Sequence, residues 1–518
     1  MWTYLRRVSG WTLLLGLGPL GLSAQTLGSV TFPNSGAPAA QSAFLRGLAL
    51  LHSFEYEDAA AAFRAAQEQD RGFAMAYWGE AMTYNHPVWM VQDRAAAMAA
   101  LERLAPTPAD RAARAGTDRE RHWLAAIEVL YGEGTKEARD TAYADAMRRL
   151  HSIYPDDHEA AAFHALALLG TAHGGRDVAT YMRAAALVEP VFRANPDHPG
   201  AAHYLIHSFD DPIHAPLGLL AARAYARIAP DAGHAQHMTS HIFVALGMWD
   251  DVVLANENAM AVQQAAQQRR GQSPTVCGHY PHWLTYGYLM QNRTEGAARI
   301  LAACRAAAVS GPPNVQGAWV MMWTRWVIDT ERWQDADAIH LRSDGQAPPE
   351  SLPAPSLGVD FLIGYAAARA GRTAEAEASA RRVSKARAAI EAAPRQAGDE
   401  SLRMRAQILD TELRALVLAG SGQRDEAIAL LREATAVEDA MPFEFGPPFI
   451  DKPSHELLGE VLLAAGKAAE AVAEFEAALR ITPLRANALA GLAEAAGAAG
   501  DVVKAKEAKA ALAAIRRS

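Results

Sequence analysis

Eight of the chain's 18 histidines fall between His203 and His282, where an even spread over 518 residues would put about three. Their spacing says more than their number. His203 and His207 are four apart, His234, His237 and His241 follow at intervals of three and four, and His279 and His282 are three apart. Residues at those intervals share one face of an α-helix, so each set presents its imidazoles in a stack. Imidazole is a borderline donor that suits Zn and Cu and also accepts Fe or Ni, and Asp210 adds a carboxylate after the first pair. Tyr286, one turn beyond His282, is either a proton donor or redox-active side chain or a lining aromatic. Neutral imidazoles crowded together without an ion would leave acceptor nitrogens unpaired. The competing reading, a protein-binding surface, would rest on imidazole as a weak and pH-dependent anchor. His52, His151 and His164 read as hydrogen-bonded core residues, and His214, in a turn, fits either description.

Other chemistries lack their residues. The chain has no HExxH, no Gly-rich phosphate loop, no nucleophile elbow and no CxxC, which argues against zinc proteolysis, nucleotide binding, serine hydrolysis and thioredoxin-like redox chemistry. A net charge of −9 argues against a nucleic-acid partner. Hydrophobic residues at 50% and charged residues at 21% exclude a largely disordered chain. Frequent Ala and scarce β-branched runs favour helices over sheet.

Helices of what kind is answered by repetition. From Glu456 the chain reads ELLGEVLLAAGKAAEAVAEFEAALRITP, with Gly459, Leu462, Gly466, Ala471, Phe475, Ala478 and Pro483 alternating small and large positions. This segment resembles the 34-residue tetratricopeptide repeat (TPR), in which small residues let two antiparallel helices approach, an aromatic fills the space between repeats and Pro ends the second helix. Weaker copies carry Gly47, Ala59, Phe63 and Ala66, then Gly247, Trp249 and Ala259, then Tyr286, Ala297 and Trp333 to Ala336, and residues 74 to 82 begin another. The expected fold is an all-α TPR-like helix-turn-helix solenoid.

The resemblance fixes a register. Repeats starting at Pro199, Gly233 and Gly278 put His203, His237 and His282 fifth, His207, His241 and Tyr286 ninth, and His234 and His279 second. In TPR proteins those positions face the concave groove, so the resemblance implies a metal site lined by His203, His207, Asp210, His234, His237, His241, His279 and His282. Adjacent helices about 8–10 Å apart can bring such rings together. One ion cannot use them all, which points to two ions or to outer-shell roles. The segments HYLIHSFDDP, APDAGHAQHMTSHIF and FGPPFIDKPSHELLGE are also similar to a family of exported bacterial TPR proteins, a likeness that implies the fold and the His site but no reaction. A metal-binding or metal-dependent catalytic protein, with Cu or Zn favoured, is the expectation, acting on a small molecule or peptide in the groove. A metal-free scaffold for protein partners is the alternative.

Residues 1–24 read as a signal peptide: Arg6 and Arg7, an apolar run from Trp11 to Leu22, then Ser23-Ala24-Gln25. Export to a bacterial periplasm follows, with no membrane span after cleavage. Residues 25–40 read as an N-terminal linker, 41–343 as an array carrying the histidines, 344–356 as a Pro-rich linker and 357–518 as a second array. Residues 441–453, MPFEFGPPFIDKP, hold four Pro and three Phe, so this loop either packs over a repeat edge or folds back to close the groove. Cys277 and Cys304, at the start of one helix and near the end of its antiparallel partner, are expected to form a disulfide, with a Cys277 thiolate ligand or plain packing as alternatives.

Overall fold

In the computed structural model, which describes residues 25–341, 353–395 and 399–516, antiparallel helix pairs follow one another along the chain. Residues 1–24, read as a signal peptide, and the part of the expected linker from 344 to 352 lie outside the described residues, while 353–356, expected as the end of that linker, begin the helix Pro353–Arg369. The chain is an all-α, TPR-like helical solenoid.

One packing device recurs at both ends. Phe63 lies between Gly47 and Gly79, where a Cβ would stand 2.9 Å and 2.3 Å from its ring, and Phe475 lies between Gly459 and Gly491 at 2.9 Å and 2.3 Å. In each case the aromatic is 16 residues from either glycine, so the same spacing is used at both ends of the chain. Both Phe side chains are fully buried, and a methyl group on any of the four glycines would displace the ring that joins adjacent repeats. Local signals set the helix starts: Asp157 caps His158–Leu169 by accepting from the Glu159 and Ala160 amides, and Thr117 with Glu120 forms a capping box on Asp118–Leu130.

The pattern departs from plain helix pairs in two places. Residues 25–37 run extended, with the Ser29 amide donating to the Asp197 carbonyl at 2.9 Å and Phe32 buried against Trp78 and Trp123. A small antiparallel hairpin, Asn85–His86 with Val91–Gln92, interrupts the helices after Ala74–Met82 and carries Trp89 at its tip.

The two ends of the chain pack on the middle. Gly247, at φ +67°, ends the helix Gly233–Ala245, and a Cβ there would lie 2.6 Å from the Pro483 carbonyl oxygen. Trp249 Nε1 donates to the Leu484 carbonyl at 3.0 Å, and buried Arg485 pairs with Asp329 at 2.5 Å and Glu456 at 2.7 Å. From the other side, Arg270 pairs with Asp58 at 2.8 Å and Glu55 accepts from the His234 amide at 2.8 Å. The histidine-bearing helices Pro199–Phe209, Gly233–Ala245 and His279–Met290 are thereby enclosed. None of the described helices is long and apolar enough to cross a membrane.

Candidate metal centre

Two of the three helices begin where the repeat register puts them, at Pro199 and Gly233, and the third begins one residue later, at His279, with Gly278 as its N-cap. They sort six histidines into two trios. His203, His207 and His234 each offer a ring nitrogen within 4.8 Å of the others, and so do His237, His241 and His279. The trios adjoin: the rings of His207 and His241 are 5.7 Å apart between centroids, those of His234 and His237 6.1 Å. All are buried except His279, which is exposed at the first position of its helix.

The first trio has the polarity of a ligand set. His203 Nδ1 donates to the His52 carbonyl at 2.6 Å, which fixes Nε2 as the nitrogen with a lone pair. His207 Nδ1 faces Asp210 Oδ2 at 3.5 Å, and His234 Nδ1 faces the Tyr280 hydroxyl at 3.4 Å. The Nε2 atoms of all three are buried without a hydrogen-bond partner. Burial, reinforced by the neighbouring imidazoles, holds His203 and His234 neutral, well below the ordinary histidine pKa.

Asp210 stands between the trios. Its Oδ2 accepts from His241 Nδ1 at 3.1 Å and faces His207, while Oδ1 accepts from Arg176 at 2.6 Å. Burial would raise its pKa, but those imidazoles and the guanidinium overcome that and keep it ionised. Arg176 also donates to the His207 and Ser208 carbonyls and to Asp211, closing the end of Pro199–Phe209 with a positive charge. His214 Nδ1 lies 2.8 Å from Asp211 and takes no part in either trio.

His282 is not brought to either group: it is buried with an unpartnered Nε2, and desolvation and the Arg325 charge lower its pKa to about 3. Tyr286 is fully buried against Trp249, with its hydroxyl 3.5 Å from Arg485. Together with Asp210 and the 441–450 loop it lines a cavity of about 340 Å³ whose titratable wall residues also include Glu438, Asp439, Glu444 and His455. Cys277 and Cys304 form a disulfide with Cα atoms 4.8 Å apart, leaving no thiolate for a metal.

A third group, His52, Glu159 and His198, resembles a metal site by composition alone. His52 Nε2 lies 2.6 Å from Glu159 and its Nδ1 2.9 Å from the Tyr204 hydroxyl, while His198 Nδ1 accepts from the Ala201 amide. Three of its four ring nitrogens have protein hydrogen-bond partners and the fourth, His198 Nε2, lies 3.3 Å from Glu159 without a hydrogen bond; its contribution to the first trio is the His52 carbonyl that orients His203. His164 is likewise buried, edge-on to His151, with burial lowering its pKa to about 4.

The enclosing aromatics come from three separate segments. Trp283 stacks on His241 at 4.6 Å, Phe445 covers His241 at 4.7 Å, Tyr280 stacks on His237 at 4.7 Å and Phe54 packs on His203 at 4.3 Å. The loop 441–453 folds back over the histidines, pinned by Arg325 donating to the Pro448 and Asp451 carbonyls at 2.6 Å. Phe54, Asn256 and Arg176 carry no periodic signal that would mark them, because their role depends on which helices become neighbours.

No known family profile matches the chain, and no curated protein does. Among solved structures, an IFIT1 monomeric mutant with Gppp-AAAA is similar over 90% of this chain and 95% of that one, at 13% identity and a TM-score of 0.36. Yeast Tom70 is similar over 91% and 99%, at 11% identity and TM-score 0.34, and the Cut9–Hcn1 hetero-tetramer of the APC/C over 90% and 78%, at 11% and 0.35.

Proposed function

We propose that this chain is an exported TPR-like protein that holds a transition-metal ion at His203, His207 and His234 and offers it to a small ligand. The observation that carries the reading is a set of three buried Nε2 atoms without a partner, on imidazoles that each offer a ring nitrogen within 4.8 Å of the other two. Leaving three acceptors bare in a protein interior costs about 1–3 kcal/mol each, and one ion satisfies all of them. Three imidazoles suit Zn or Cu first and accept Fe or Ni. Three protein ligands also leave a coordination position for water or substrate, the arrangement of a catalytic rather than a purely structural site. The cavity walled by Asp210 and Tyr286 is where an organic ligand would lie, with Tyr286 as the candidate proton donor.

Elemental analysis of the untagged mature protein tests this. At least one equivalent of Zn or Cu is expected, with one equivalent fewer in a His203→Ala/His234→Ala variant, and a wild-type protein that stays metal-free after reconstitution overturns it. Export predicts a mature N-terminus near Gln25, and intact Met1 in a cytoplasmic fraction would contradict it.

A second reading, a scaffold for a protein partner, is favoured by Ile213, Leu217 and Leu220, which are 82%, 64% and 73% exposed and lie along one turn and the helix that follows it. Capture of a partner that survives chelation and is lost in Leu217→Glu/Leu220→Glu would support it.

A further inference from the structure

The second trio has a geometry the first does not. His237 Nδ1 is 2.8 Å from Asn256 Oδ1, and the Asn256 amide nitrogen donates to the Val252 carbonyl at 2.8 Å, so Oδ1 must be the acceptor and His237 Nδ1 the donor. His241 Nδ1 faces the Asp210 carboxylate at 3.1 Å, another group that only accepts. Both rings, when neutral, therefore carry their lone pair on Nε2, and those two Nε2 atoms lie 3.2 Å apart. Two lone pairs aimed at each other repel in a buried setting unless something positive binds both. A proton shared between the two would make one imidazolium, with Asp210 Oδ2 against His241 Nδ1 as its counter-charge, whereas an ion would also use the third ring of the trio. His279 brings a ring nitrogen within 4.8 Å of a ring nitrogen of each of the two.

We infer that His237, His241 and His279 form a second transition-metal site beside the first, and that Asp210 is the positioning residue common to both. This rests on the reading of the first trio as a metal site. Asp210 Oδ2 orients His241 in one trio and faces Nδ1 of His207 in the other, as outer-shell carboxylates orient metal-bound imidazoles. Asn256 and the His52 carbonyl do the same for His237 and His203 individually. Asp210 faces a ring of each trio, and with His207 and His241 it makes a further group of potential ligand atoms within 4.8 Å across the boundary between them. The ligand class is a pair of divalent borderline ions held by three imidazoles each, side by side, with exposed His279 at the solvent edge of the second site.

Titration of the metal-free mature protein with Co(II), followed by its visible d–d absorption and by dialysis against Zn(II) with elemental analysis, tests the inference without a variant. Two equivalents per chain are expected. His237→Ala/His241→Ala should bind one, and His203→Ala/His234→Ala should also bind one. One equivalent in the wild type, lost only in the second variant, would overturn this inference and keep the first site. No equivalent at all would overturn both. Asp210→Asn should weaken both occupancies about 10–100-fold and shift both Co(II) spectra. A shift in only one spectrum would remove the shared role of Asp210, and the circular dichroism of each variant separates misfolding from loss of ligands.

Discussion

Gly446 lies against the face of Trp283 so closely that a Cβ would stand 2.3 Å from the indole Cζ2. The glycine is also at φ +107°, a region that side chains disfavour. This contact seats the loop 441–453 and with it Phe445 over His241 and His207. Gly446→Ala should displace the loop, speed metal transfer to a chelator several-fold and open the segment to limited proteolysis. Unchanged transfer and cleavage would mean that the loop does not govern access to the histidines.

The buried imidazoles make the metal-free fold acid-sensitive. His203, His234 and His237 are held well below the ordinary histidine value by desolvation, and His282 at about 3. Between those values and about pH 6.5 the unfolded chain binds protons that the folded chain refuses, so stability falls as pH drops, by up to about 1.4 kcal/mol per pH unit for each group. Asp210, kept ionised in the fold, adds a loss below the ordinary carboxylate range. Urea midpoints of metal-free protein should therefore be flat above pH 7 and decline steadily from pH 6.5 to 4.5. A flat profile down to pH 5 would show that these rings are not neutral and buried together.

The His52, Glu159 and His198 group is expected to be structural. Glu159→Ala removes the carboxylate 2.6 Å from His52 and 3.3 Å from His198, all three being buried. Breaking such a group by deleting one partner costs about 3–5 kcal/mol. Denaturation should register that loss while metal stoichiometry stays at the wild-type value. A change in stoichiometry with little change in stability would assign the group to metal binding instead.

The disulfide anchors the chain two residues before His279. Cross-linking Cys277 to Cys304, 27 residues apart, constrains the unfolded chain by about 3–4 kcal/mol in the loop-entropy account. Cys277→Ser/Cys304→Ser should lower stability by that order and weaken the His237, His241 and His279 site more than the other trio. Denatured, unreduced wild-type protein should show no free thiol, and two free thiols would remove the basis of the comparison.

The sequence by itself determined the fold class and the helices that carry the histidines. Gly459, Phe475 and Pro483 mark a repeat because the packing they serve is local and recurs at a fixed interval. The intervals within His203–His207 and His234–His237–His241 are likewise local, so their shared faces follow from helix geometry alone. Tertiary structure decided what those faces meet. His279, rather than His282, joins His237 and His241 because the rotation of His279–Met290 against its neighbours depends on packing between helices, and no periodicity along one helix encodes that. Asp210 lies between two trios, and the Phe-rich loop covers them, only because segments as much as 240 residues apart are brought together in space. Helical periodicity is set by neighbours a few residues away, whereas the direction of a lone pair depends on the hydrogen-bond partner that the whole fold supplies.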